Sequence, residues 1–303
     1  MNALAPQNAT RVPFTRIVLT AGNDGDVVVN SIQVQRTGLG TDAAFAGVIL
    51  VDEATGMQVG VAKTFNSNHQ TAVGQTMTIP RGTSKTFLVA GNMQSSLSSY
   101  AGEAPSLSVV GVNTTATVSG TLPIVGATHV INSTLNVGTL SLTVSQAFTS
   151  NAPANKEIGT TGYKTTGLNL TAGSAEDIRL KSIIFNQTGS VSGSDLANVA
   201  IVVGGTSYPA VLSADGKYYS ATFGSGVVIA KGNQVEVYVQ YDIVGSNSTN
   251  RTVIFDVDKT TDIYGTGETY GYGVSPTTAG GSSVPTTRTS QNTVETTGTP
   301  YIY

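Results

Sequence analysis

Carboxylates near the ends of apolar runs are the residues here whose types and spacing suggest chemistry. Asp256, Asp258 and Asp262 gather hard oxygen donors within seven positions, a set suited to calcium. Asp24 and Asp26 form a second acidic pair, echoed further on by Glu176 and Asp177. Neither group has the twelve-residue spacing of a helix–loop–helix calcium loop, and Asp is common in turns on its own account. Calcium is therefore the one cofactor to consider, and otherwise none is expected. The two histidines, His69 and His129, lie far apart without paired-ligand spacing and read as ordinary surface residues. No G-x-S-x-G elbow and no phosphate-binding Gly-x4-Gly-Lys-Ser/Thr loop occurs, so no nucleophile is paired with a base and catalysis is not expected.

Other candidate chemistry is thin. Seven Asn-x-Ser/Thr sequons occur, at Asn8, Asn113, Asn132, Asn169, Asn186, Asn247 and Asn250, and a chain this rich in Ser and Thr yields several by chance. An isopeptide bond from Lys181 is not expected, because the corresponding residue of the internal repeat described below is the polar Asn30. Tyr264, Tyr270, Tyr272, Tyr301 and Tyr303 offer aromatic surface suited to stacking on sugars or sealing contacts between subunits.

The composition narrows the function classes. The chain has 303 residues, a net charge of −3, 15 Lys and Arg and only 11% charged residues. Basic residues are spread singly, which excludes a nucleic-acid footprint. No run approaches the ~18–20 apolar residues of a membrane span. Cys is absent, so disulfides and thiolate chemistry have no part. Thr (44), Ser (29) and Gly (35) dominate, a makeup that disfavours helices and suits proteins exposed outside a cell or on a virion. Met1 to Pro6 has no basic region leading into an apolar run, so a secretion signal is not expected there.

These residues sit in a duplicated frame. Leu19-Thr20-Ala21-Gly22 returns as Leu170-Thr171-Ala172-Gly173, 151 positions later. At the same offset Asp26 to Ile32 matches Asp177 to Ile183, Thr37-Gly38 matches Thr188-Gly189, and Phe45 to Val51 matches Leu196 to Val202. Ile79-Pro80-Arg81-Gly82 then answers Ile229-Ala230-Lys231-Gly232 at an offset of 150. A match this long marks a tandem duplication.

Each copy reads as β-structure. Asp26 to Val34 and Asp177 to Phe185 are rich in β-branched residues and lead into Thr-Gly turns. Lys85 to Val89 and Val235 to Tyr241 follow Gly-containing turns; in the latter Val235, Val237 and Val239 alternate with Glu236, Tyr238 and Gln240, as in a strand with one buried and one wet face. In Arg251 to Asp258 the same alternation puts Val253, Phe255 and Val257 inside and Ile254 and Asp256 outside. Candidate strands recur every ~8–14 residues without intervening amphipathic helices, which predicts an all-β chain of two tandem immunoglobulin-like β-sandwich domains. Phe45, Phe87, Phe185 and Phe255 are the expected aromatic core.

The repeat does not close at its ends. Gly138 to Gln146 alternates as a clean strand at the head of the second copy, and its equivalent in the first would precede residue 1. The expected domains are therefore 1–135, lacking an N-terminal strand, and 136–273, followed by a Ser/Thr/Gly-rich flexible arm over 274–303. Leu140, Leu142 and Val144 would contribute roughly 5–9 kcal/mol together if fully buried, at ~1.5–3 kcal/mol each. A sandwich without such a strand exposes an unpaired edge. Val294 to Tyr303 lines up loosely with Ile131 to Leu140, so Val294, Tyr301, Ile302 and Tyr303 are candidates for a strand donated to a neighbouring copy. Preceding residues of a longer repeat array would serve equally well.

Leu170-Thr171-Ala172-Gly173 leading into Asp177-Ile178-Arg179-Leu180-Lys181-Ser182, then Asp195 to Val199 and the run from Ile229-Ala230-Lys231-Gly232 to Tyr241-Asp242-Ile243, resembles the tandem Ig-like modules of bacterial surface and S-layer-type proteins. The resemblance implies an extracellular, non-enzymatic building block at the cell surface that assembles with copies of itself into a layer or filament. Glycans and other envelope proteins are the further partners it implies. An adhesin or carbohydrate-binding module and a virion structural or decoration protein are the alternatives.

Overall fold

The computed structural model describes residues 4–145, 147, 156, 158–244 and 251–278. Its regular structure is almost entirely β-strand, and it divides into two compact units. Unit 1 comprises residues 1–137 and 270–274, and unit 2 comprises 138–269 with 275–303. Residues 270–274, expected with the second domain and its arm, thus belong to the first.

Unit 1 contains β1 (Leu4–Pro6), β2 (Val12–Thr20), β3 (Val27–Leu39), β4 (Phe45–Asp52), β5 (Gln58–Lys63), β6 (Gln70–Val73), β7 (Met77–Ile79), β8 (Ser84–Met93), β9 (Ala104–Thr114) and β10 (Val130–Asn132). One sheet runs β2-β8-β4-β5; in the other, β3 pairs with β6, β7 and β9. Alternation along the strands puts Ile17, Phe87, Val89 and Leu50 of the first sheet against Val29, Ile32, Val34 and Leu107 of the second, all buried in one core. Strand β1 pairs in parallel with β10, apart from both sheets.

Unit 2 contains β11 (Leu140–Val144), β12 (Tyr163–Ala172), β13 (Ile178–Gly189), β14 (Leu196–Val203), β15 (Thr206–Pro209), β16 (Val211–Leu212), β17 (Tyr218–Ile229), β18 (Gln234–Ile243), β19 (Val253–Asp256) and β20 (Ile263–Gly267). After β21 (Gly273–Val274), which lies in unit 1, β22 (Pro276–Thr278) returns to unit 2. One sheet has the order β15-β14-β18-β12-β11-β22, and β13 pairs with β17, β19 and β20 in the other. The stretch read as an arm therefore begins with a strand, since Pro276 to Thr278 pairs in parallel with Leu140 to Leu142.

The duplication is visible element by element. β2, β3, β4 and β8 of unit 1 correspond to β12, β13, β14 and β18 of unit 2, and single 3-10 turns, Asp42–Ala44 and Gly193–Asp195, precede the third pair. Thr37-Gly38 and Thr188-Gly189, expected as turns, are instead paired within β3 and β13; Gly38 and Gly189 both take positive φ (76° and 101°), where a Cβ would strike the main chain of Ala104 and Thr252, so only Gly fits there. All four expected core phenylalanines are at most 4% exposed. Tyr241 and Phe255 pack with ring centroids 5.6 Å apart, and Tyr219 adds an edge-on contact with Phe255.

Candidate interaction surface: the edge of β2

In unit 2 the strand at the head of the repeat is in place. β11 pairs antiparallel with β12, with Leu140 opposite Ala172, Leu142 opposite Leu170 and Val144 opposite Leu168. Leu140 and Leu142 are buried, whereas Val144 is half-buried and contributes less than the full burial expected of it. The side chain of Glu176, 2% exposed, fixes the start of this strand. Its carboxylate accepts the Gly138 N–H at 2.6 Å and the Thr269 N–H at 2.8 Å. The sequence suggests a solvated acidic turn at Glu176; in the fold it is a buried clamp. The signal available was its position beside the Gly138 strand in the repeat, but the contact spans 38 residues and no local pattern reports it.

In unit 1 the equivalent strand, β2, has β8 as its one strand neighbour among the described residues. Ala21 donates its N–H to Thr83 O of the β8 side, and Thr86 O turns away from β2 to accept from Glu53. The main-chain groups of Val18 and Thr20 thus point away from β8, by the strict alternation of an antiparallel ladder. Their counterparts Asn169 and Thr171 face β11 and pair with Thr143 and Ser141. Toward its start β2 is closed by its own unit: Ala127 donates to Phe14 O at 2.7 Å, and His129 Nε2 donates to Pro13 O at 3.0 Å. Among the described residues that cover ends beyond Phe14.

A groove of about 640 Å3 opens beside this uncovered end. It runs from Val18, Leu19 and Ala21 of the edge to Val27, Val112 and Val118. Val18 is 51% and Val118 47% exposed, large values for aliphatic side chains flanking a core. Gly25, at the position of Glu176 in the repeat, lines the groove without a side chain to clamp anything.

The other sequence candidates do not gather into a site. Among the described residues no group of three or more His, Asp or Glu side chains is placed to hold a metal ion. Asp258 accepts from Asn186 Nδ2 at 2.6 Å, and Asp262 accepts the Lys259 N–H at 3.0 Å. Asp256, read on the wet face of its strand, is fully buried opposite Asn186 of β13. The acidic residue shared by both copies serves the fold. Asp26 accepts the Arg81 N–H and Asp177 accepts the Lys231 N–H, each at 2.8 Å, fastening the repeated Gly82 and Gly232 turns.

His129 is 2% exposed and stacks edge-on against Phe14 at 4.6 Å, so it is a core residue and not the surface histidine expected. His69 is exposed and bonds Asp42 at 2.6 Å, and Arg36 also pairs with Asp42. Burial raises the Asp42 carboxyl, but the hydrogen bonds from Arg36 and His69 outweigh it and hold it below the ordinary aspartate value. Burial likewise raises Asp195, and the Ser192 N–H and hydroxyl together with Arg251, 2.6 Å away, bring it below that value. Lys181 donates to Ser225 O at 3.3 Å, and Asn186 is buried, which removes that sequon from solvent. Tyr272 is buried with its hydroxyl donating to Leu4 O, while Tyr270 is exposed. Val294, Tyr301, Ile302 and Tyr303, like Asn247 and Asn250, lie outside the described residues.

No family model matches the sequence, and no curated protein matches it. Among solved structures, the chain is similar to an anti-sigma factor domain-containing protein (TM-score 0.22, 9% identity, 79% of this chain and 77% of that one). It is also similar to the major pilin subunit BcpA of Bacillus cereus (TM-score 0.22, 9% identity, 82% and 70%) and to the full-length major pilin SpaD of Corynebacterium diphtheriae (TM-score 0.20, 12% identity, 80% and 65%). Likenesses at these TM-scores carry no argument about activity. No helix among the described residues is long and apolar enough to cross a membrane.

Proposed function

We propose that this protein is a non-enzymatic structural subunit of an extracellular surface, which associates with copies of itself through its β-sandwich units into a layer or filament. The observation that carries the reading is the contrast between the two units: β12 is covered by β11, and the same edge of β2 has no strand on it among the described residues and lies beside a groove. An exposed sheet edge with unpaired main-chain groups is a template for pairing with another chain. The Thr-, Ser- and Gly-rich, Cys-free composition and the duplicated frame support a repetitive surface component.

The oligomeric state of the full chain tests this. Sedimentation velocity over a hundredfold concentration range, with electron microscopy of the concentrated sample, is expected to show growth into regular polymers. A monomer that persists at the highest concentration would overturn the reading.

A further inference from the structure

We infer that the groove beside Val18–Gly22 is an acceptor site for the segment Gly298 to Tyr303 of a second copy, added antiparallel to β2 in one defined register. This rests on the self-assembly proposed above and specifies its contact.

The occupant follows from how the repeat fills the same place once already. Segment 132–144 leaves unit 1 and supplies β11 to unit 2. Asn132, Gly138 and Thr139 recur as Asn292, Gly298 and Thr299 at a constant offset of 160, which replaces the looser alignment by position. Pro300, Tyr301, Ile302 and Tyr303 then correspond to Leu140, Ser141, Leu142 and Thr143. Gly298 to Tyr303 thus follows unit 2 as β11 follows unit 1, and in a head-to-tail series of copies it meets the edge of β2 on the unit 1 of the next copy.

Transferring the β11–β12 register sets Pro300 opposite Ala21, Tyr301 opposite Thr20, Ile302 opposite Leu19 and Tyr303 opposite Val18. The chemistry of each position agrees. Ile302 takes the inward place that Leu142 fills in unit 2, over Leu19 and the groove floor. Pro300 lacks an N–H, and the residue opposite Ala21 turns its main-chain groups away from β2, so none is needed there. Tyr301 and Tyr303 offer main-chain groups to Thr20 and Val18, whose own groups face outward, and their rings lie on the outer sheet face beside the exposed Val18. Ala127 on Phe14 stops the added strand after a few residues.

The chain has no cysteine, so pairs introduced one at a time report the register directly. Thr20 is exposed, and facing Cα atoms of an antiparallel hydrogen-bonded pair lie about 5.5 Å apart, within disulfide range. The full chain carrying Thr20→Cys and Tyr301→Cys is oxidised gently and run without reductant, beside a chain carrying Thr20→Cys and Ile302→Cys. A ladder of covalent multimers from the first pair, at least tenfold stronger than from the second, is the expected result. Equal ladders, no crosslink, or a crosslink confined to single chains would each overturn the inference. Because polymer formation is scored separately on the unmodified chain, polymers without the register-specific ladder would sink the strand addition alone, and absence of polymers would sink the functional reading.

Discussion

Leu142 stands directly opposite Leu170 across β11 and β12, while Leu19, the repeat counterpart of Leu170, has no strand opposite it on that side among the described residues. Two copies of one sandwich therefore differ at this edge, and the difference puts an uncovered ladder on the unit whose groove is lined by Val18, Val27, Val112 and Val118. A sheet edge left this way gains main-chain hydrogen bonds and apolar burial together when a strand is added.

Removing the inner side chains of β11 measures what such a strand contributes. Leu142→Ala is expected to destabilise unit 2 by about 2–5 kcal/mol, the usual range for truncating a buried leucine. Denaturant unfolding, followed by the fluorescence of the unit 2 tyrosines, reads it. A change below about 0.5 kcal/mol, typical of surface positions, would contradict the role given to β11.

The Glu176 clamp is a second test. Glu176→Ala leaves the buried N–H of Gly138 and the N–H of the exposed Thr269 without their acceptor, at about 1.5–3 kcal/mol for the buried charge-assisted bond and less for the other. Amide exchange at Gly138 and along β11 is expected to accelerate before that of β13. Unchanged protection of β11 would show that the carboxylate does not anchor it.

The repeated turn carboxylates should behave alike. Asp26→Ala and Asp177→Ala each remove one main-chain hydrogen bond at a solvent-facing turn, and each is expected to cost about 1 kcal/mol. Calcium titration of the unmodified chain is expected to leave the unfolding temperature where it was. A rise on adding calcium, lost in Asp26→Ala, would reassign the residue as a ligand.

Asp195 gives the chain an acid limb. Its carboxyl lies below the ordinary aspartate value when folded, so the unfolded state binds its proton first as pH falls. The associated stability is complete above the ordinary pKa of about 3.9 and is lost as pH drops through the lower folded value. Asp195→Asn is expected to lower the unfolding temperature at pH 7 and to converge with the unmodified chain near a pH of about 2. Parallel curves across that window would contradict the assignment.

Much of the frame was legible because the duplication is written in local patterns. The acidic residue before β3 and β13 and the inward Val237 and Val239 are short-range signals that the strands obey, whereas the Thr-Gly pairs read as turns are paired within β3 and β13. What escaped were groups whose surroundings come from far along the chain. Asp256 alternates as an outward residue, yet β19 pairs with β13 at Asn186 and both of its faces are covered. His129 stands between Thr128 and Val130 in a stretch that reads as a strand edge, and its burial is decided by Pro13 and Phe14, more than a hundred residues away. The head strand of unit 2 was read from alternation alone, but its partner β22 was hidden in a Ser- and Thr-rich stretch whose composition suggests a linker.

Amide hydrogen exchange at Val18 and Thr20 is the most direct probe of the acceptor edge, with Asn169 and Thr171 as internal references. In dilute solution Val18 and Thr20 are expected to exchange as unpaired edge amides while Asn169 and Thr171 stay protected, and on assembly the first pair should gain protection of at least a hundredfold, about 2.7 kcal/mol. Protection of Val18 and Thr20 in the dilute monomer, or assembly that leaves their exchange unchanged, would contradict the account.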